Sequence, residues 1–220
     1  MAALINRRRT GKGVHIDLSQ LEAALNFISP TLLDYAVNGR VTTRDGNRCS
    51  YSAPHGVYRC EGEDRWCAIA VFSDKEWEKL CQVIGRPELA KDHKFATLLQ
   101  RKKNEDELDG LISEWTAKLN AEEVMHVLQE VGIAAGVAQT SKDLLKRDPQ
   151  LAYRHFFHEL EHKEIGRHCY EAPPFSLSKT PYELTMPGPC LGEHNEHVCK
   201  KMLGFSDEDY ISFVKDEVLK

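Results

Sequence analysis

The stretch Arg9–Ser19, Arg-Thr-Gly-Lys-Gly-Val-His-Ile-Asp-Leu-Ser, decides how the fold of this chain is interpreted. It follows residues 1–9, which are typical of the end of a helix, and its two glycines suit a turn. Val14, Ile16 and Leu18 then alternate with polar residues, which predicts a short strand. A long helix is predicted directly after it. This order belongs to the middle of an α/β unit, so we expect the C-terminal part of a larger protein.

The composition is that of an ordinary globular domain. The 220 residues are 41% hydrophobic and 29% charged, with a formal net charge of -5. A nucleic-acid-binding protein usually carries a basic stripe, so this balance argues against that class. The one basic cluster, Arg7–Arg9, lies at the predicted end of a helix, where cations favour the helix dipole.

The sequence contains no clear signal peptide, membrane span or metal-binding motif. No segment reaches the roughly 20 apolar residues that span a bilayer, and Met1–Ile5 is too short for a signal peptide core. Seven cysteines without a C-x-x-C pair are typical of reduced thiols, which predicts a cytoplasmic protein without a zinc site. The histidine pairs at 155 and 158 and at 194 and 197 lack supporting ligands, so we expect no metal.

Periodicity predicts alternating helices and strands along the chain. Pro30 should break the helix predicted over residues 20–37, and residues 38–54 form a long loop. Ser73 and Glu76 match a capping box at the start of an amphipathic helix. Further helices are predicted over 104–119, 121–131, 141–146, 193–202 and 206–214, and strands over 56–60, 65–72, 134–139, 155–161 and 168–171.

The fold class that follows combines α/β and α+β parts. We expect a small α+β domain flanked by elements of an incomplete Rossmann-like large domain. Residues 1–45 would be the C-terminal elements of the large domain with a linker, and residues 46–180 the small domain. Residues 181–220 would return to the large domain after a proline-rich connector over residues 172–189.

Two stretches are candidates for chemistry. The loop Gly46–Gly56 is small and polar, and its backbone N–H groups could hold an oxyanion or a carboxylate, although a solvated connector has the same composition. Within it, Cys49 could act as a nucleophile with His55, but an idle thiol is the simpler interpretation. Gly192–His194 begins a predicted helix, where anions bind, and simple helix capping explains it equally well.

Other patterns do not carry a function. Thr10–Gly13 looks like a fragment of a phosphate-binding loop, but it lacks the upstream glycine and the Lys-Ser/Thr pair and it precedes a strand. No G-x-S-x-G elbow is present. The three tryptophans are most simply core residues.

The ordered set of motifs resembles the class III CoA-transferases, the formyl-CoA transferase or CaiB/BaiF type. Each motif is weak by itself, whereas the succession covers essentially the whole chain and is specific. It runs through residues 8–23, 46–48, 53–58, 77–81, 84–85, 136–138, 148–151, 173–178, 180–181, 189–194 and 203–205.

This resemblance implies a fold, an assembly and a reaction. Members of the family combine a Rossmann-like large domain with a smaller α+β domain and form dimers of interlocked rings, so a homodimer is expected. They move coenzyme A from an acyl-CoA to a carboxylic acid through mixed-anhydride and aspartyl-CoA intermediates. The CoA thioester is then a substrate, and no tightly bound cofactor is implied.

The resemblance also limits which residues can be assigned. The family's nucleophilic aspartate lies upstream of the motif at residues 8–23, so neither Asp17 nor Asp34 takes that role and no catalytic residue is assigned. The fragment alone is expected to be inactive. The family's loop over the active site corresponds to residues 46–55, and a Leu-Gly-x-His turn lies near the same region. The substrate-binding residues implied are Gly46, Asn47, Arg48, Ser52, Ala53, Pro54, His55 and His194.

Two other functions stay open. An α-methylacyl-CoA racemase would share the fold, but it uses a glutamate in the strand after the first hairpin, and residues 67–74 contain none. A non-catalytic binding module is the second alternative. If a large domain is incomplete, the faces of residues 20–37 and 193–214 should expose apolar side chains.

Overall fold

The computed structural model describes residues 1–219, which form two compact units. The first unit is Met1–Val137, and the second runs from Ala138 to the end of the described chain. The predicted domain boundaries at residues 45 and 180 stay predictions. The helices are α1 Ala2–Thr10, α2 Gln20–Phe27, α3 Ser29–Asn38, α4 Asp74–Val83, α5 Leu98–Lys103, α6 Glu105–Thr116, α7 Ala121–Glu130, α8 Ser141–Lys146, α9 Pro149–Tyr153 and α10 Asp207–Lys215.

A three-stranded antiparallel sheet forms the centre of the first unit. Its strands, β1 His55–Arg59, β2 Trp66–Ala70 and β3 Ala134–Val137, lie in the order β1-β2-β3. The turn between the first two strands contains Gly62 at φ 105°, a backbone conformation that L side chains rarely adopt. The predicted hairpin and third strand are thereby confirmed, each to within two residues at its ends.

The hydrophobic core lies on one face of this sheet, beneath α4, α6 and α7. Because side chains alternate along a strand, one face contributes Tyr58, Cys67 and Ile69 to the core and the other face stays uncovered. The helices complete the core with apolar side chains at i, i+3 and i+4, as the sequence predicts. These are Trp77, Leu80, Cys81, Leu108, Ile112, Val124 and Leu128.

The helix starts follow local capping chemistry, with one difference from the sequence prediction. The hydroxyl of Ser73 accepts a hydrogen bond from the Glu76 N–H at 3.2 Å, as expected of an N-cap. The carboxylate of Glu76 accepts from the N–H of Phe72 instead of that of Ser73. The predicted capping box is therefore wrong in its second half, because the glutamate side chain reaches one residue further back.

Residues 1–45 pack against little of the described chain. The predicted break at Pro30 is confirmed, since α2 ends at Phe27 and α3 begins at Ser29, and the Ser19 hydroxyl caps α2 by accepting from Glu22 N–H. The predicted strand at residues 14–18 is wrong: the segment is irregular and pairs with no described strand. A strand needs a hydrogen-bonding partner, and periodicity alone does not supply one.

Apolar exposure at both ends matches the sequence prediction. No residue of the first 45 is buried, and Phe27 is 88% exposed. The predicted apolar faces of residues 20–37 and 193–214 are confirmed by the following exposed side chains: Leu21, Leu25, Phe27, Ile28, Leu32, Leu33, Tyr35, Val37, Val198, Met202, Leu203, Phe205, Ile211 and Val214.

The second unit contains a two-stranded antiparallel hairpin, β4 Phe157–His162 and β5 Gly166–Glu171, as predicted. Residues 172–189 form the expected irregular connector. The helix predicted from residue 193 starts later, because residues 191–194 form a turn that leads into a π-helical segment, His197–Met202. Sequence periodicity missed the short helices α5 and α9 and the 3₁₀ segment Pro87–Lys91.

Candidate functional site

A cavity of about 590 Å³ opens on the uncovered face of the sheet. Its floor is the uncovered face itself, where the register brings β1, β2 and β3 side by side. The loop at residues 46–48 and His55 supply the polar part of the lining. The remaining lining residues are small or apolar: Gly56, Val57, Ala68, Ile69, Ala70, Ala134, Ala135 and Gly136.

Arg48 fixes the first end of the candidate loop, the segment of residues 46–55. Its guanidinium donates to the carboxylates of Asp106 at 2.7 Å and Asp109 at 2.6 Å, both on α6. Glu105 lies 3.7 Å from Nε of the same arginine. The hydrogen bonds to Asp106 and Asp109 raise the pKa of Arg48 further above its usual range, so the side chain is a permanent cation.

Tyr58 links this ion cluster to the sheet. Its hydroxyl donates to the second carboxylate oxygen of Asp109 at 2.8 Å. Burial and the charge of Asp109 raise the pKa of Tyr58 well above its usual value, so the phenol stays protonated and the donor is retained. The loop is thereby connected through α6 to β1.

Arg101 fixes the second end of the candidate loop from inside the core. Its side chain is fully buried and donates from Nε to the carbonyl of Ala53 at 2.7 Å and from a terminal nitrogen to the carbonyl of Phe95 at 3.0 Å. Asp74 accepts from the other terminal nitrogen at 2.9 Å, and the guanidinium lies 5.5 Å from the ring centre of Trp77. A buried charge needs this degree of pairing to be tolerated.

The middle of the candidate loop is less constrained. Cys49 and Ser52 form an isolated bridge, and the thiol lies 2.9 Å from the serine hydroxyl. Tyr51 is exposed and stacks on Phe72 with ring centres 6.4 Å apart. His55 uses Nδ1 in a hydrogen bond with the carbonyl of Asn47. The structure thus pairs Cys49 with Ser52 and His55 with Asn47, and the interpretation of Cys49 as an idle thiol stays a prediction.

The structure brings together four of the eight predicted substrate-binding residues. Gly46, Asn47, Arg48 and His55 line the cavity. Residues 52–54 are buried in the base of the loop, where Ala53 N–H donates to Val71 and Val71 N–H donates back to Pro54. A role for Ser52, Ala53 or Pro54 in substrate contact stays a prediction.

His194 belongs to the second unit, in the turn at residues 191–194. Its carbonyl accepts the Val198 N–H at 2.9 Å, so it starts the helix that follows. Glu193 accepts from the Cys190 N–H at 2.8 Å and from Lys163 at 3.0 Å, and both contacts lower the pKa of its carboxyl. The capping interpretation of this turn explains these contacts, and a substrate role for His194 stays a prediction.

Sequence reasoning missed the residues that hold the loop. Asp106 and Asp109 are three residues apart at the start of α6, which places both carboxylates on the same side of the helix. The sequence could therefore have indicated that they share one cationic partner. Their partner is Arg48, which precedes them in the chain by 58 and 61 residues. Only the folded structure shows this pairing. Arg101 gave no signal, because it stands in a run of basic residues, Arg101–Lys103, that is typical of a solvated helix end.

The described residues contain neither a metal-binding cluster nor a membrane-spanning helix. Among residues 1–219, no group of three or more His, Cys, Asp or Glu side chains could hold a metal ion. None of the helices described is long and apolar enough to cross a membrane.

Comparison with known proteins agrees with the family that the sequence resembles. The model of CoA-transferase family III matches residues 1–195. A probable CoA-transferase of Mycobacterium tuberculosis is 33% identical over the whole chain, which covers 27% of that protein. Succinyl-CoA–D-citramalate CoA-transferase of Chloroflexus aurantiacus is 31% identical over 95% of the chain and 52% of its own length.

Structural comparison gives the same result. A crystal structure of a CaiB/BaiF family protein from Brucella suis matches with a TM-score of 0.78 and 28% identity, over 91% of this chain and 51% of that one. The predicted fold class is confirmed by this neighbour. The chain spans about half the length of most of the relatives described, and about a quarter of the mycobacterial one. By the match of its family model, the chain belongs to CoA-transferase family III.

Proposed function

We propose that this chain is the C-terminal part of a CoA-transferase that moves coenzyme A from an acyl-CoA to a carboxylic acid. One observation carries the proposal: a cavity bounded by the candidate loop lies within the stretch that the family model matches. Relatives named as CoA-transferases for citramalate and oxalate support the same reaction type.

The proposed reaction proceeds through an aspartate upstream of this chain. Its carboxylate attacks the thioester carbonyl, the C–S bond breaks, and a mixed anhydride and CoA thiolate result. The thiolate then attacks the aspartyl carbonyl, which releases the first acid and leaves an aspartyl-CoA thioester. The acceptor carboxylate reverses both steps and leaves as its CoA thioester. Covalent catalysis of this kind divides one difficult transfer into easier ones.

The candidate loop would cover the reacting centre in this proposal. Backbone N–H groups in its middle could stabilise the oxyanion that develops at each carbonyl. The two arginine anchors would hold the ends of the loop while the segment around Tyr51 adjusts to the substrate. Asp17 and Asp34 have no part in the chemistry.

The assembly and surroundings are part of the proposal. The substrates are an acyl-CoA and a carboxylic acid, no cofactor is held tightly, and two copies of the complete protein form a dimer. All seven cysteines are free thiols, which suits a reducing compartment such as the cytoplasm.

A transfer assay tests this function. Succinyl-CoA and butyryl-CoA are supplied in parallel as donors with a panel of carboxylic acids, and product thioesters are followed by chromatography. The 220-residue chain is compared with a version extended upstream to the length of its relatives. We expect transfer only with the extended chain, and hydroxylamine should trap an activated aspartate in the added segment.

Each other outcome contradicts a defined part of the proposal. Transfer by the short chain would show that a residue within it supplies the nucleophile. Exchange of the α-proton of 2-methylacyl-CoA in D₂O, without transfer by either version, would favour the racemase. Neither activity in either version would leave the binding module as the better interpretation.

A further inference from the structure

The floor of the cavity is formed largely by apolar side chains and glycine. Directly opposed residues in an antiparallel sheet share a face, so Val57, Ala68 and Gly136 form one row, and His55, Ala70 and Ala134 form the next. A Cβ atom added at Gly136 would meet nothing within 4 Å. These two rows therefore offer van der Waals contact and open space beside the His55 imidazole, without a carboxylate, guanidinium or ammonium group.

The one permanent cation of the lining is already neutralised. Arg48 contributes the only guanidinium or ammonium group to the described cavity wall, and its terminal nitrogen is shared between Asp106 and Asp109. Lys102 lies 2.6 Å from Glu105, the third carboxylate of the cluster. Two cations thus face three carboxylates, and the cluster as a whole is negative.

A second carboxylate on a substrate would be poorly accommodated at this wall. It would have to displace Asp106 or Asp109 from Arg48 or remain unpaired beside a negative cluster. An uncharged acyl chain neither displaces an aspartate from Arg48 nor places a carboxylate beside the negative cluster. Its contact with the floor removes apolar surface from water, which favours binding.

We propose that the cavity takes acyl groups whose far end is uncharged, in preference to the acyl groups of dicarboxylic acids. This inference rests on the proposed function, because it assumes that the cavity holds the acyl part of a thioester. It concerns the specificity of the site and does not depend on where the nucleophile lies.

Two truncated thioesters of equal chain length test the preference. S-butyryl- and S-succinyl-N-acetylcysteamine carry four-carbon acyl groups that differ by a terminal carboxylate, and neither needs a nucleotide site. Each is titrated into the ¹⁵N-labelled 220-residue chain at low salt, where charges are least screened. We expect binding of the butyryl thioester to shift the amide signals of Ala68, Ala134 and Gly136. We also expect its dissociation constant to be about fivefold lower than that of the succinyl thioester, because two unit charges about 4 Å apart in water interact by about 1 kcal/mol.

Two variants assign the preference to the ion cluster. Asp106 is 93% exposed at its side chain, so Asp106→Asn should fold normally while it removes one negative charge beside Arg48. We expect the ratio of the two dissociation constants to fall towards one. Glu107→Gln is the matched control, since Glu107 lies on the same helix, pairs with Lys94, and should leave the ratio unchanged.

The possible failures are distinguishable. Equal or tighter binding of the succinyl thioester, with the floor signals shifting, overturns the preference and leaves the site in place. Absence of shifts at the floor with either thioester overturns the cavity as the acyl site, whereas the proposed function is decided separately by transfer with the extended chain. Gly136→Val, which fills the floor in a conformation that valine accepts, should abolish the butyryl shifts if the site is correct.

Discussion

Arg48 and Arg101 both hold the candidate loop, although one lies at the cavity wall and the other is buried in the core. Arg48 lies at the cavity wall and holds the loop by its charge, whereas Arg101 is fully buried and holds it through the Ala53 carbonyl while it also donates to the Phe95 carbonyl. Both fix an end of the candidate loop. The buried arginine is the more consequential, because its carbonyl partners would otherwise have no donor in the core.

Replacing Arg101 should therefore destabilise the first unit. We expect Arg101→Met to lower the free energy of unfolding by about 3 kcal/mol, since two buried carbonyls lose their donor and Asp74 loses its cation. Urea denaturation followed by tryptophan fluorescence measures this. Lys103→Met, two residues along and exposed, is the control and should change stability by less than about 0.5 kcal/mol. Equal effects of the two substitutions would contradict the anchoring role.

The core thiols should be unreactive in the folded chain. Burial raises the pKa of Cys67 and of Cys81 to about 12, so almost none of either thiol is ionised at pH 8. We expect iodoacetamide at pH 8 to modify the three half-buried cysteines, Cys49, Cys169 and Cys190, and to leave Cys67 and Cys81 unmodified, as read by peptide mass spectrometry. The urea-unfolded chain is the control, in which all seven should react. Early labelling of Cys67 would contradict the packing described here.

Among the secondary-structure elements, α7 joins β2 and β3 to the core, so its cap matters beyond the helix itself. The Asn120 side chain accepts from the Glu123 N–H at 2.8 Å. We expect Asn120→Ala to cost about 1 kcal/mol, because this N–H loses its acceptor. Asn120→Asp keeps the acceptor and suits the helix dipole, so its stability should equal or exceed that of the parent in the same thermal melt. A stable alanine variant would show that solvent replaces the cap.

Elements with a strong period or an explicit cap were predictable, and those that depend on distant partners were not. The spacing of Trp77, Leu80 and Cys81 gave α4 its buried face, because the helix period places them together. The alternation at residues 14–18 was equally regular, yet no described strand pairs with it. Short helices such as α5 have too few residues to show a period, so sequence reasoning passed over them.

In the molecule as a whole, the loop was identifiable from sequence and its anchoring was not. Small polar residues between two regular elements marked residues 46–55 as a candidate, and Gly46, Asn47, Arg48 and His55 do line the cavity. The residues outside the loop that hold it, Arg101 on α5 and Asp106 and Asp109 on α6, are remote in sequence, so the composition of the loop held no information about them. The resemblance to the family contributed the function, which the residues alone left open.

The apolar faces of the N-terminal 45 residues should make the isolated chain associate. Leu18, Leu21 and Phe27 are each more than 70% exposed, and large apolar side chains left in water in this number favour association. We expect multi-angle light scattering to give a mass above that of one chain, and this mass should rise with concentration. The combined variant Leu18→Asn, Leu21→Asn and Phe27→Asn should have a mass close to that of one chain. Tyr153→Ser removes an equally exposed but separate aromatic side chain in the second unit and should leave the mass unchanged. If the parent chain is strictly monomeric, exposure of these apolar side chains to water does not drive association. The physical reason for expecting another protein segment to cover them would then be removed.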